Sequence, residues 1–335
     1  MEKNKAISLL LKDPRTRYVI IGVLVATIPF LATAGLLRSA VVILIGSILI
    51  YSVAGLGINI LLGYSGLISL GTAGFMGFAA YIAAYLTMNL GFPFEITLLI
   101  SIAVPVLLGL FVGLVSFRIE GIYLAIATLS VGEVLRRSFE ELVGFTNSFA
   151  GMRVNYPTLF GVWSLDRNGT FVLIAVALTL AMILTHNIVH SRPGRALHAM
   201  RGSTVAAQAM GVNILRYRLF AFAVSTGLVA LAGVLYVHFV RFTHPDIWGW
   251  GLSLNILALV IIGGLRSIYG TLLGAFVVFG IPSLILVRLP IIGDIPGVSF
   301  VFNGIVIVIV VLLYPRGIVS IFTDIGKLIK KTGRA

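Results

Sequence analysis

The sequence predicts an all-α polytopic membrane protein of about ten transmembrane helices, with a short cytoplasmic helix in one inner loop. Three observations carry this. First, 59% of the 335 residues are hydrophobic and mean hydropathy is +1.11. Second, only 10% are charged, against about 25% in a soluble domain, which excludes a water-soluble enzyme. Third, apolar stretches recur at the length a spanning helix needs, about 20 residues. The 24 Lys+Arg outnumber the 11 Asp+Glu, a net charge of +13. They gather at the ends of the stretches, so they report topology and not nucleic-acid binding. Cysteine is absent, which excludes disulfides, thiolate catalysis and Cys-based metal sites. The 37 glycines suit close packing of helices in lipid.

The segments are expected at 18–37, 40–62, 67–90, 94–117, 122–139, 170–189, 217–240, 248–265, 268–287 and 298–314. Pro93, Pro290, Pro296 and Pro315 punctuate their ends. The first segment follows a basic stretch and contains Ala32-Thr33-Ala34, which formally matches a leader cleavage site. The length of the basic stretch favours an uncleaved helix. The fifth is short, with an uncharged run only from Gly121 to Gly132, and could be re-entrant. Charge bias decides for a crossing: with the N-terminus inside, 17 basic residues fall inside and 7 outside, whereas a re-entrant segment evens the split to 12 and 12. Residues 1–17 are then a cytoplasmic segment, 18–316 the transmembrane domain and 317–335 a basic cytoplasmic tail. The largest outer loop covers 140–169 and the largest inner loop 190–216. Trp163, Trp248 and Trp250 are expected as anchors at the outer interface.

No GxxxxGK[ST] run surrounds any of the six lysines, so the chain has no P-loop for ATP. His186 and His190 have the i, i+4 spacing of a metal pair but no third ligand nearby in sequence. Two cations at the negative end of a helix are the simpler reading. No nucleophile, base and orienter stand out for hydrolysis. Glu133 is the one ionisable group placed well inside a predicted crossing, a functional candidate by default. Arg136 and Arg137 follow at i+3 and i+4, so a local ion pair is the alternative. The shortage of buried acids argues against a proton- or sodium-driven carrier.

The inner loop reads SRPGRALHAMRGSTVAAQAMGVN over 191–213. Ser203 or Thr204 can cap a short helix over 205–210, and Gly211 can supply a left-handed stop. An amphipathic loop resting on lipid headgroups is the alternative. This loop resembles the cytoplasmic loop of ABC importer permeases of the branched-chain amino acid class, the LivM type. Its Ala206-Ala207 to Gly211 core is similar to that family's coupling helix, which docks on an ATPase. Thr204 and Val205 stand where acidic residues are common. Three further stretches resemble the family in the right order. Arg118 to Glu133 is similar to RLxGxYxAIxTLxxxE. Ile262 to Gly270 is similar to GGxGSxxG, with Arg266 in place of a glycine. Pro315-Arg316-Gly317-Ile318 is similar to PxGL. Thr146-Asn147-Ser148-Phe149-Ala150-Gly151 departs from the family's TGGxxG.

The resemblance implies a permease subunit with two ATPase subunits, a homologous second permease, an extracytoplasmic substrate-binding protein and surrounding lipid. ATP and Mg would be bound by the ATPases, and this chain would hold no cofactor and act as no enzyme. Coupling residues carried over are Gly194, Arg195, Arg201, Thr204, Ala206, Ala207 and Gly211. For a pathway suited to amphipathic solutes, weak polar groups among apolar walls are the candidates: Asn59, Thr72, Thr128, Ser130, Glu133 and Asn255. Each could instead make an interhelical hydrogen bond. A weak internal echo pairs Asn59-Ile60-Leu61…Gly66-Leu67-Ile68-Ser69 with Asn255-Ile256-Leu257…Gly264-Leu265-Arg266-Ser267, as in transporters built from repeats or by chance. The rival functions are a self-sufficient channel or secondary carrier, and an intramembrane enzyme acting on lipid.

Overall fold

The computed structural model describes residues 13–35, 38–115, 119, 121–284, 297–314 and 317–320. Lys3, Lys5 and Lys12, Arg118 and Glu120, Pro290 and Pro296, Pro315 and Arg316, and the tail beyond Ser320 lie outside the described residues. The helices are α1 Pro14–Ala26, α2 Ile28–Thr33, α3 Ser39–Ile58, α4 Thr72–Met88, α5 Phe94–Val115, α6 Ile122–Glu141 and α7 Val143–Thr146. They continue with α8 Arg167–Val189, α9 Arg192–Gly202, α10 Thr204–Ala209, α11 Ile214–Val240, α12 Trp250–Gly263, α13 Ile268–Ala275, α14 Ile281–Leu284 and α15 Val298–Leu313. Wider π turns, Asn59–Tyr64 and Phe276–Gly280, extend α3 and join α13 to α14. Four two-residue strands form two small ribbons. β1 (Met152–Arg153) runs antiparallel to β4 (Phe242–Thr243), and β2 (Thr158–Leu159) to β3 (Trp163–Ser164).

Each expected segment contains helix among the described residues, and the architecture is that of an all-α membrane protein. Among the described residues five helical stretches are long and apolar enough to span: Pro14–Thr33, Ser39–Tyr64, Phe94–Val115, Arg167–Val189 and Ile214–Val240. Four more, Thr72–Met88, Trp250–Gly263, Ile268–Leu284 and Val298–Val310, are apolar but shorter. α6 stands apart because its second half carries Glu133, Arg136, Arg137, Glu140 and Glu141.

α11 is the axis. It is apolar all round, as a helix surrounded by others should be, and it packs on α3, α4 and α5. Small residues let backbones meet there. A Cβ on Gly233 would lie 2.0 Å from Met76 O, and one on Gly57 would lie 2.7 Å from Ser225 O. α1 and α15 are peripheral and leave Val23, Leu24, Val308 and Leu312 exposed, the faces an apolar solvent would cover.

Two expectations are corrected. The third segment does not become helical at residue 67. Gly66 takes φ +76°, and the chain stays non-helical to Gly71 before α4 begins at Thr72. Hydroxyls replace the missing helical partners: Leu70 N–H donates to Thr128 Oγ1 at 3.0 Å and Ala73 N–H to Ser253 Oγ at 2.9 Å. Trp248 is not an interfacial anchor. It is 1% exposed, and its indole N–H donates to Thr243 Oγ1 at 2.8 Å, while Trp163 and Trp250 are exposed.

Candidate functional site: a short exposed helix and the knot beneath it

α9 folds back under the end of α8 because residue 194 has no side chain. A Cβ on Gly194 would lie 2.2 Å from Val189 O. Ala196, Leu197 and Met200 are buried on its inner side, and Arg195 and His198 are exposed. α10 follows at once. Ser203 Oγ accepts from Ala206 N–H at 3.2 Å, the capping bond that satisfies a first-turn amide. Gly211 leaves the helix at φ +83°, and Val212 N–H returns to Ala207 O at 3.0 Å. Ala207 is buried with Met200 and Ile214. Ala206 and Gly211 are exposed, and Thr204 and Arg201 are half-buried. The side chains that project furthest are Val205, 78% exposed, and Met210, 86% exposed. Neither was among the expected coupling residues. The signal for them was two large apolar side chains bracketing a run of alanines in a loop expected at the surface.

Beneath α9 lies a knot of hydrogen bonds. The Arg201 guanidinium donates to Gly63 O in the π turn of α3. Tyr64 meets His198 edge-on, with ring centroids 5.4 Å apart, and its hydroxyl donates to Arg266 O at 2.6 Å. Asn59 Nδ2 donates to Ser267 O at 3.0 Å and Thr271 Oγ1 at 2.9 Å, while its Oδ1 accepts from Arg266 N–H at 2.8 Å. The turn between α12 and α13 is thus gripped from one side by α3. From the other side it is sealed by Gly317, where an added Cβ would lie 2.2 Å from Gly264 Cα, and by Ile318 N–H donating to Ile262 O at 2.9 Å. Partial burial, with Arg266 and then Arg201 nearby, lowers the pKa of His198 below its ordinary 6.5.

The expected pathway residues are not brought to one surface. Asn59 is the clamp just described. Thr128 Oγ1 holds Leu70 N–H and donates to Ala125 O at 3.0 Å. Asn255 Oδ1 accepts from Asn303 on α15 at 3.0 Å. Thr72 is buried, its hydroxyl without a partner among the described residues, facing Ser69, Ser225 and Thr226. Ser130 and Glu133 do share a surface. With Leu129, Val134, Arg137 and Trp250 they line an open groove of about 970 Å³ along α6. Ser130 returns its own hydroxyl to Ile126 O at 3.0 Å. Glu133 is held by Arg136 at 2.6 Å and Arg137 at 3.4 Å, and both arginines continue to Glu140, at 2.5 and 2.9 Å. Ser253, which secures the start of α4, was missed although it stands two residues before Asn255.

Residues 40–311 match the family described as the permease component of the branched-chain amino acid transport system. The chain belongs to this permease family. It is 28% identical over 313 residues to the high-affinity branched-chain amino acid transport permease LivM of Salmonella typhimurium, covering 86% of this chain and 71% of that protein. LivM of Escherichia coli K12 is 28% identical over 322 residues, 88% of this chain and 72% of its own length. The autoinducer 2 import permease LsrC of an Enterobacter strain is 28% identical over 221 residues, 62% of this chain and 61% of that one.

The permease's departures from the family pattern now have a geometry. Asn147 and Ser148 stand where TGGxxG has its glycines, and both keep the left-handed backbone, with φ +58° and +48°. Side chains hold them there. Asn147 Nδ2 donates to Gly151 O at 3.0 Å, and Ser148 Oγ to Glu140 O at 2.5 Å. Arg266 likewise occupies a glycine position at φ +65°, where an L side chain costs about 1–2 kcal/mol.

Proposed function

We propose that the permease is the transmembrane subunit of an ATP-binding-cassette importer for branched-chain amino acids or related small polar solutes. It works by alternating access, with two separate ATPase subunits that bind ATP and Mg, a homologous second permease and an extracytoplasmic binding protein that sets selectivity. It lies in a bacterial or archaeal cytoplasmic membrane with both termini inside. The observation that carries the reading is α10: a capped helix whose Val205 and Met210 project outward while Ala207 fixes it to the body, in a chain whose family membership spans 272 residues. Such a knob suits an apolar cleft on an ATPase, and closure of the ATPases would move it as a unit with α9. Solute would pass along the α6 groove, with Ser130 and Glu133 among the groups it meets.

A mild-detergent pull-down of the tagged chain tests the assembly. Co-purification of P-loop ATPases and a second hydrophobic permease is expected, and ATP-dependent uptake should follow on reconstitution. Recovery of the chain alone, transporting without nucleotide, would favour the self-sufficient carrier. Gly211→Pro forces φ to about −65° where the chain needs +83°, and Ala207→Trp overfills a closed contact. Both variants should reach the membrane and lose uptake. Normal uptake in both would remove the coupling role.

A further inference from the structure

The non-helical segment 66–71 touches the base of α9 at one end and α6 at the other. We propose that it is a strut that carries movement of α9 into α6, and that Thr128 is the positioning residue that fastens its far end. The proposal rests on the importer reading above.

At the near end, the Arg201 side chain from α9 bonds Gly63 O, and a Cβ on Gly66 would lie 3.1 Å from Arg201 Cγ. The strut therefore starts seated on α9. Along its length the burial alternates: Leu67, Ser69 and Gly71 are buried, Ile68 and Leu70 only half so. Non-helical backbone within a membrane protein's interior is tolerated only where its polar groups are met. Here they are met by other helices. Thr128 Oγ1 takes Leu70 N–H, and Ser253 Oγ takes Ala73 N–H just beyond the far end.

The far end meets α6 backbone to backbone. A Cβ on Gly71 would lie 2.3 Å from Thr128 O, and one on Gly74 would lie 2.6 Å from Gly132 Cα. With no side chain between them to yield, displacement of the strut displaces α6. Ser130 and Glu133 lie on the same stretch of α6 and line its groove. A push on α9 thus reaches the groove through one short segment.

The test uses the full complex in liposomes, with solute uptake and ATP hydrolysis measured together. Thr128→Val keeps the shape and removes the acceptor, and should lower uptake per ATP about tenfold with hydrolysis maintained. Thr128→Ser should restore it. The cysteine-free chain also allows spin labels at Arg195→Cys on α9 and Tyr123→Cys on α6. Their separation should change on ATP binding and should cease to do so when Thr128→Val is added. Unchanged uptake per ATP, failure of the Ser variant, or a parallel fall in uptake and hydrolysis would each overturn the strut. A wild-type complex that takes up nothing with ATP would overturn the importer reading, and the strut with it. That result is distinct from a wild type and a Thr128→Val variant that pump equally well, which removes the strut alone.

Discussion

The two stretches that echo each other in sequence, from Asn59 and from Asn255, fold differently, and the difference explains how one holds the other. In the first, six residues separate the Asn from its Gly66, and they pass through a π turn. In the second, eight residues separate Asn255 from Gly264, and they are ordinary α-helix. Asn59 points at the turn of its counterpart and makes three bonds there. Asn255 points away, to Asn303 on α15. The turns are closed differently too. Gly264 meets the backbone of Gly317, its Cα 2.2 Å from a Cβ added there, whereas the nearest atom to a Cβ on Gly66 is the flexible Arg201 Cγ at 3.1 Å. Similar letters thus produce a clamp in one place and a clamped turn in the other.

The largest test of that contrast is Gly317→Ala. It places a Cβ 2.2 Å from Gly264 Cα at φ +82° and should cost about 3–4 kcal/mol. It should appear as a collapsed yield of monodisperse protein in detergent. Gly66→Ala, facing a side chain that can move, should cost only about 1 kcal/mol. Next is Asn59→Ala, which strands the part-buried Arg266 N–H and should cost about 2 kcal/mol. Asn255→Ala breaks one amide pair and should cost about 0.6 kcal/mol. Thermal unfolding measured side by side checks the ratio, and equal losses would break the comparison. Arg266→Gly removes left-handed strain while keeping the N–H bonded to Asn59, and should raise Tm by an amount equivalent to about 1 kcal/mol. An unchanged Tm would mean that the arginine side chain offsets the strain.

The smallest effect is with pH. The pKa of His198 is held below 6.5 in the fold, so the folded chain binds fewer protons there than the unfolded one. That contribution to stability is full above about pH 6.5 and is lost as pH falls through the lowered folded value. His198→Gln should remove this part of the acid sensitivity in melts between pH 5 and pH 7.

The helices were legible because each is a long apolar run bounded by charge or proline, and α10 because Ser203 and Gly211 carry local cap chemistry. The strut was not. Leu67, Ile68 and Leu70 are apolar enough to read as helix, and the hydroxyls that unwind the segment lie 58 residues away at Thr128 and 180 away at Ser253. The same limit governs the pathway residues. Asn59 and Thr128 were chosen as polar groups among apolar ones, and only their distant partners reveal that those groups are already engaged. Trp248 was placed by residue type, and its partner Thr243 turned it inward. The glycine positions of the family pattern were visible as departures at Asn147, Ser148 and Arg266, but the backbone that requires them was not.

The clamp at Asn59 also sets an order of assembly. Its amide and the hydroxyl of Thr271 are 212 residues apart. At about 5–20 residues per second of synthesis, the ribosome needs about 10–40 s to make the second after the first. Through that interval the end of α3 sits in the membrane with its side-chain amide unmatched. The seal by Gly317 comes later still, so the turn between α12 and α13 is held from the α3 side first and closed from the other side only after α15 has been made.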